Sequence, residues 1–167
     1  ASAAGNAHGS TIVVSASVTT DEAGATATDS TLTVNEPDAT ATLARVGSGV
    51  VDAGDVVTMT YTVAVTRQTA YDVVATFGGD AGLSLQLGSV ACDSGCVTAE
   101  LGTSQSAATD LSVSLASVSA GTTVVLSFDV LLSPDSSVQF NAERSLTADA
   151  AFESTADGNA RAYTVAQ

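Results

Sequence analysis

The sequence predicts an all-β protein, a sandwich of about seven to nine short strands preceded by a separate β-hairpin. Three observations carry that reading. Hydrophobic residues make up 45% of the 167, but only 4% are aromatic and Trp is absent, so Val, Ala and Leu dominate beside abundant Ser and Thr. β-Branched side chains suit a pleated surface better than a helix. Apolar residues recur at every second position in run after run, with Gly, Asp and Ser between the runs, and no stretch shows the helical spacing.

Taken in order, residues 1–9 (ASAAGNAHG) are small and polar, and read as the start of a mature chain from which an export signal has been cut. A hairpin follows. Ile12, Val14, Ala16 and Val18 alternate with Val13, Ser15, Ser17 and Thr19, Asp21–Gly24 makes the turn, and Thr31–Val34 returns. Asn35-Glu36-Pro37-Asp38 then marks a boundary, because Pro cannot donate a ladder hydrogen bond. The expected organisation is therefore an extension over residues 1–37 and a sandwich domain over 38–167.

Within the domain, Thr40–Val46 reads as a strand and VDAGD at 51–55 as a turn. VVTMTYTVAVT at 56–66 is the clearest strand, with Val57, Met59, Tyr61, Val63 and Val65 on one side and Thr58, Thr60, Thr62 and Thr66 on the other. Strands are expected at Tyr71–Phe77, at Leu83-Leu85-Leu87, at Leu111-Val113-Leu115 and at Val124–Leu132. A closing hairpin, Leu146–Phe152 with Ala160–Val165, surrounds Asp157-Gly158. The opening and closing hairpins align in pattern at an offset of 134 residues, Ile12 with Leu146 and Gly24 with Gly158. That spacing is what one repeat preceded by the tail of another would show.

Charge narrows the partners. The chain carries 18 acidic residues against four Arg (Arg45, Arg67, Arg144 and Arg161), no Lys, and a formal charge of −14. Such a surface repels phosphate, which argues against nucleic acid and anionic membranes, and it suits a medium whose salt screens self-repulsion. Without Lys, neither an intramolecular Lys–Asn isopeptide bond nor an inter-subunit link through a Lys side chain can form in these residues. No apolar run approaches the ~18 residues of a membrane-spanning helix.

Cys92 and Cys96, in ACDSGC, are close enough to close a tight loop, and a local disulfide is the expectation. Two thiolates far from the single His8 make a poor zinc site, which is the alternative. A disulfide would place the chain in an oxidising compartment, outside the cell or at its surface.

Ala53-Gly54-Asp55 before Tyr61-Thr62-Val63, Asp80-Ala81-Gly82-Leu83, Val118-Ser119-Ala120-Gly121-Thr122 before a long alternating strand, and the closing DGNARAYTV together resemble a known family. It is the immunoglobulin-like repeat of prokaryotic surface proteins called domain of unknown function 11. The resemblance covers roughly residues 38–167, and the opening hairpin resembles the end of an upstream copy. It implies an immunoglobulin-like, Greek-key sandwich that serves as a structural module of surface stalks, adhesins or fibres, and it brings no catalytic residues. Two departures bear on loop shape: Thr66-Arg67-Gln68-Thr69 stands where the family has Asn and Gly, and Asp80 where it has Pro.

No residue set carries enzyme chemistry. His8 lies outside the domain, so a Ser-His-Asp arrangement is not available there. The acidic pairs Asp52/Asp55 and Asp21/Glu22 fall in turns rather than across a cleft. No D-x-D-x-D-G calcium loop occurs, FGGDAG lacks the Lys of a phosphate loop, and no Asn heads a glycosylation sequon. Catalytic, cofactor and metal residues are therefore expected to be none, while Ser and Thr offer attachment points for O-linked glycans.

The hairpin supplies the functional expectation. Two strands alone are marginal in water, and its apolar set is Ile12, Val14, Val18, Leu32 and Val34. Burying five such side chains is worth roughly 7–15 kcal/mol before ordering costs. The expected partner is another copy of the chain, joined head-to-tail into an extracellular or cell-surface filament by strand addition. The alternative is a repeat module of a surface stalk or adhesin that binds a protein or carbohydrate.

Overall fold

A computed structural model describes residues 11–15, 29–33, 36–97, 100–134, 143–156 and 162–166. The chain divides into two units, Ala1–Glu36 and Pro37–Gln167. In the first, β1 (Thr11–Ser15) and β2 (Asp29–Thr33) form a two-stranded antiparallel sheet. The register sets Ile12 opposite Leu32 and Val14 opposite Ser30.

The second unit is an immunoglobulin-like β-sandwich. Its strands are β3 (Asp38–Arg45), β4 (Val56–Arg67), β5 (Ala70–Gly79), β6 (Leu83–Ser94), β7 (Gly102–Ser104), β8 (Asp110–Val118), β9 (Thr123–Leu132), β10 (Leu146–Glu153) and β11 (Ala162–Ala166). One sheet has the order β3-β4-β9-β6 and the other β11-β10-β5-β8-β7, all pairs antiparallel. Eight of these nine strands, all but β7, are ones the alternating pattern predicts, and the described residues contain no α-helix.

Alternation makes the core. On β4, Val57, Tyr61, Val63 and Val65 are buried, and on β9 Val124, Leu126, Phe128 and Val130 are. Val73, Ala75 and Phe77 of β5 and Ala148, Ala150 and Phe152 of β10 meet them from the other sheet. The aromatic rings bridge the sheets. Tyr61 stands edge-on to Phe77 with centroids 5.0 Å apart, and Phe77 packs tilted on Phe128 at 4.5 Å, separations typical of favourable aromatic pairs. The Ser119–Thr122 turn locks the far end of β4, because Gly121, at φ +78°, donates its N–H to the Val65 carbonyl at 2.7 Å.

Three details differ from the alternating pattern. β6 is longer than expected and carries a bulge between Gln86 and Ala91, so Leu87 turns outward and is exposed. The Ser89 hydroxyl takes over part of the ladder there, accepting the Asp129 N–H and donating to the Gln86 carbonyl, both at 2.7 Å. The short edge strand β7 has no alternating apolar residues to announce it. On β5, Asp72 adopts φ +47° where the register with β10 shifts between Ala151 and Glu153, a bulge inside a strand that reads as regular.

The two hairpins are not in step. At an offset of 134 the pair Ser15–Asp29 would correspond to Asp149–Tyr163, whereas Asp149 pairs with Ala166. The expected turns at residues 21–24 and 157–158 lie outside the described residues.

Candidate functional site

Cys92 and Cys96 are joined by a disulfide. Cys92 sits in β6 opposite Leu126 rather than in a loop beyond the strand, and the bridge closes the end of that edge strand. Gly95 makes the turn possible, with φ +78° and its backbone against the Thr123 carbonyl. Of the expected assembly residues, Ile12, Val14 and Leu32 lie in β1 and β2, while Val18, Val34 and His8 fall outside the described residues. Asp52 and Asp55 share one exposed turn, where the Asp55 carboxylate accepts the Asp52 N–H at 2.7 Å. Among the described residues no three His, Cys, Asp or Glu side chains are grouped to hold a metal ion. The described residues contain no helix long and apolar enough to cross a membrane.

What alternation alone does not reveal is that, among the described residues, the core is less covered at one end of the sandwich. Inward-facing positions are sealed along most of each strand, but Leu43, Met59, Leu132 and Leu146 are only half-buried. All four lie where β3 and β9 finish and β4 and β10 begin. Together with Val57 and Leu83 they line a groove of about 1000 Å³. The loop beside it, residues 46–55, adds more apolar surface: Val46 and Val50 are exposed, Val50 at 94%. Two of the five exposed large hydrophobics among the described residues thus lie in this loop, and clustered exposed apolar surface marks interaction sites.

The groove's walls are held by hydrogen bonds. The Arg45 guanidinium donates to the Gly49 carbonyl at 2.6 Å and pins the loop. Gly54 N–H donates to the Leu132 carbonyl at 2.8 Å, and Leu132 N–H returns a bond to the Asp55 carbonyl at 2.9 Å. Asp80 ties down the entry to β10: its carboxylate accepts the Ser145 N–H at 2.8 Å and its own N–H donates to the Ser145 carbonyl. Pro at this position, as in the resembled family, would lose both bonds. Arg45 and Arg144, two of the chain's four cationic residues, line the groove together with Asp52 and Glu143.

The opposite end is where the chain enters. Pro37 is buried and β3 starts at Asp38, next to Arg67 at the end of β4. The eight residues of β3 therefore separate the entry point from the groove by roughly 25 Å. Tyr61 lies between these ends, fully buried, and its hydroxyl has no hydrogen-bond partner among the described residues. Burial, and then the nearby Asp149 carboxylate, push its pKa up to about 12.

No family model matches the sequence, and no curated protein matches it. Solved structures match in fold. The pilus backbone RrgB of Streptococcus pneumoniae aligns with 70% of this chain and 32% of its own at a TM-score of 0.56 and 14% identity. A variant of BcpA, the major pilin subunit of Bacillus cereus, aligns with 94% of this chain and 45% of its own at 0.55 and 14% identity. Full-length RrgB gives 0.53 and 12% over 77% of this chain and 24% of its own. The chain thus spans less than half the length of these pilins, and at such identity the likeness is one of fold.

Proposed function

We propose that the protein is a non-enzymatic subunit of an extracellular or cell-surface fibre, and that copies join head-to-tail through the N-terminal hairpin. One observation carries the reading: the sandwich begins at Asp38, at one end of β3, and the apolar groove opens at the other end of that strand. A segment leading in at one end and an acceptor at the other give a head-to-tail contact, which makes a ring where its rotation closes and a filament where it does not. The disulfide agrees with an oxidising location, and the pilin-like fold supports the fibre role. The absence of Lys leaves these residues no ε-amine for an isopeptide joint, which supports a joint made by strand pairing and apolar burial. Exposed Thr40 and Thr42 on β3 are candidate O-glycan positions.

A second reading treats residues 38–167 as one repeat module of a longer stalk or adhesin, as the resemblance to the surface-repeat family implies. The observation in its favour is that the pilins it matches are two to four times longer than the matched region. Sedimentation velocity separates the two. The fibre reading expects large, polydisperse species whose size grows with concentration; a single monomer peak at every concentration would refute it and favour the module.

A further inference from the structure

We infer that residues 105–108 close the outer edge of β6 against a strand from a second copy, and that Gln105 is the residue that decides it. The inference goes beyond the fibre reading. It concerns where copies do not pair, and it holds for a fibre subunit and for a repeat module alike.

β6 is an edge strand, paired with β9 on one side and with no strand on the other among the described residues. Such an edge offers N–H and C=O groups that a second chain can extend into a continuous sheet. Charge and Pro usually protect an edge, but residues 83–92 (LSLQLGSVAC) contain neither. An uncharged segment of this kind pairs readily with a copy of itself. Part of the edge is irregular already: the strand bulges after Gln86, and the Cys92–Cys96 bridge ties down its end. The regular stretch is Leu83–Gln86. Within it, Leu85 stands opposite Val130 of β9, and both of its backbone groups are bonded on the outer side. Its N–H donates to the Ala108 carbonyl at 2.7 Å, and its carbonyl accepts the Gln105 side-chain amide, also at 2.7 Å. The Leu83 N–H donates to the Asp80 carbonyl at 3.0 Å.

A residue of a neighbouring antiparallel strand would meet Leu85 with one N–H and one C=O. Ala108 supplies the C=O and Gln105 the N–H, so two residues of one loop imitate one residue of an added strand. The loop is itself anchored. The Thr109 carbonyl accepts the Gly79 N–H at 2.8 Å, and the Ser106 hydroxyl donates to the Asp110 carboxylate at 2.7 Å. Gln105 is half-buried, as a side chain laid along an edge would be. β7, the edge strand of the other sheet that lies nearest, is only three residues long and offers little to pair with. Sheet extension on this side is therefore blocked by hydrogen bonding at β6 and by length at β7.

The test uses the full-length chain carrying Leu87→Cys, an exposed position two residues beyond Leu85, and reads the covalent dimer formed through it under mild oxidation. With Gln105 in place the yield should be low. Gln105→Ala should raise it about tenfold, the scale of one hydrogen bond's net contribution. Gln105→Asn, one methylene too short to reach, should do the same and stands in should the alanine variant unfold. Ser106→Ala is the control, because it removes a bond of the same loop but leaves the amide on Leu85; its yield should stay low. A high yield with Gln105 in place, no rise in either Gln105 variant, or an equal rise in Ser106→Ala would overturn the inference. None of these outcomes bears on the hairpin joint.

Discussion

Tyr61→Phe is the substitution that most directly tests the physics of the core. The ring is fully buried in the middle of β4 and packs edge-on against Phe77 at 5.0 Å. Its hydroxyl makes no hydrogen bond among the described residues. An unpaired buried hydroxyl costs about 1–3 kcal/mol, so removing it while keeping the ring should raise unfolding free energy by about that amount at pH 7. The phenol also predicts an alkaline limb. Its pKa is about 12 in the folded protein, and unfolding returns it to its ordinary value near 10. The folded state therefore retains a proton that the unfolded chain releases. The stabilisation is intact below pH 10 and falls by roughly 3 kcal/mol as pH rises from 10 to 12. Lys is absent and the two cysteines are bridged, so few other groups titrate in that window. Urea unfolding followed by far-ultraviolet circular dichroism at pH 7, 10, 11 and 12 reads both effects. A variant that loses more than about 1 kcal/mol at pH 7, or that keeps the full alkaline limb, would refute the reasoning.

Three further outcomes follow from named contacts. Gly95→Ala should cost about 2 kcal/mol or more in urea unfolding, because the new Cβ meets the Thr123 carbonyl and the left-handed backbone disfavours it; Gly88→Ala, in open space, should be neutral. Replacing both Cys92 and Cys96 by Ser should cost about 2 kcal/mol, the entropy of a very short loop, with the circular dichroism spectrum retained because β9 still pairs with β6. Raising salt from about 0.01 to 0.15 M, which shortens the screening length from about 30 to 8 Å, should lower the concentration at which copies of this −14 chain assemble, as read by light scattering.

The fold was legible where period-two alternation ran unbroken. Val57 to Val65 and Val124 to Val130 show their buried faces directly, because each inward residue is apolar and each outward one is small or polar. Legibility failed where a single backbone event broke the period. The bulge after Gln86 rotates Leu87 into solvent, and the positive φ of Asp72 leaves no trace in residue type. β7 is too short, and too poor in apolar residues, to register. The groove left one readable sign: Val50-Val51 sits inside a Gly-, Ser- and Asp-rich turn, where apolar side chains have no reason to be unless something covers them. Its half-buried walls, by contrast, come from strand ends, and sequence periodicity does not say which end of a sandwich is sealed. Asp80 is a related case. As a departure from the repeat family it put the loop in doubt, and its two bonds to Ser145 show how this chain holds that loop instead.

The central claim is that the hairpin joins copies end to end, and electron microscopy of the native full-length protein beside a version lacking residues 1–35 tests it most directly. The sandwich keeps its own core in both. The account predicts filaments from the first and single particles from the second. Single particles from both, or filaments that survive the deletion, would contradict it.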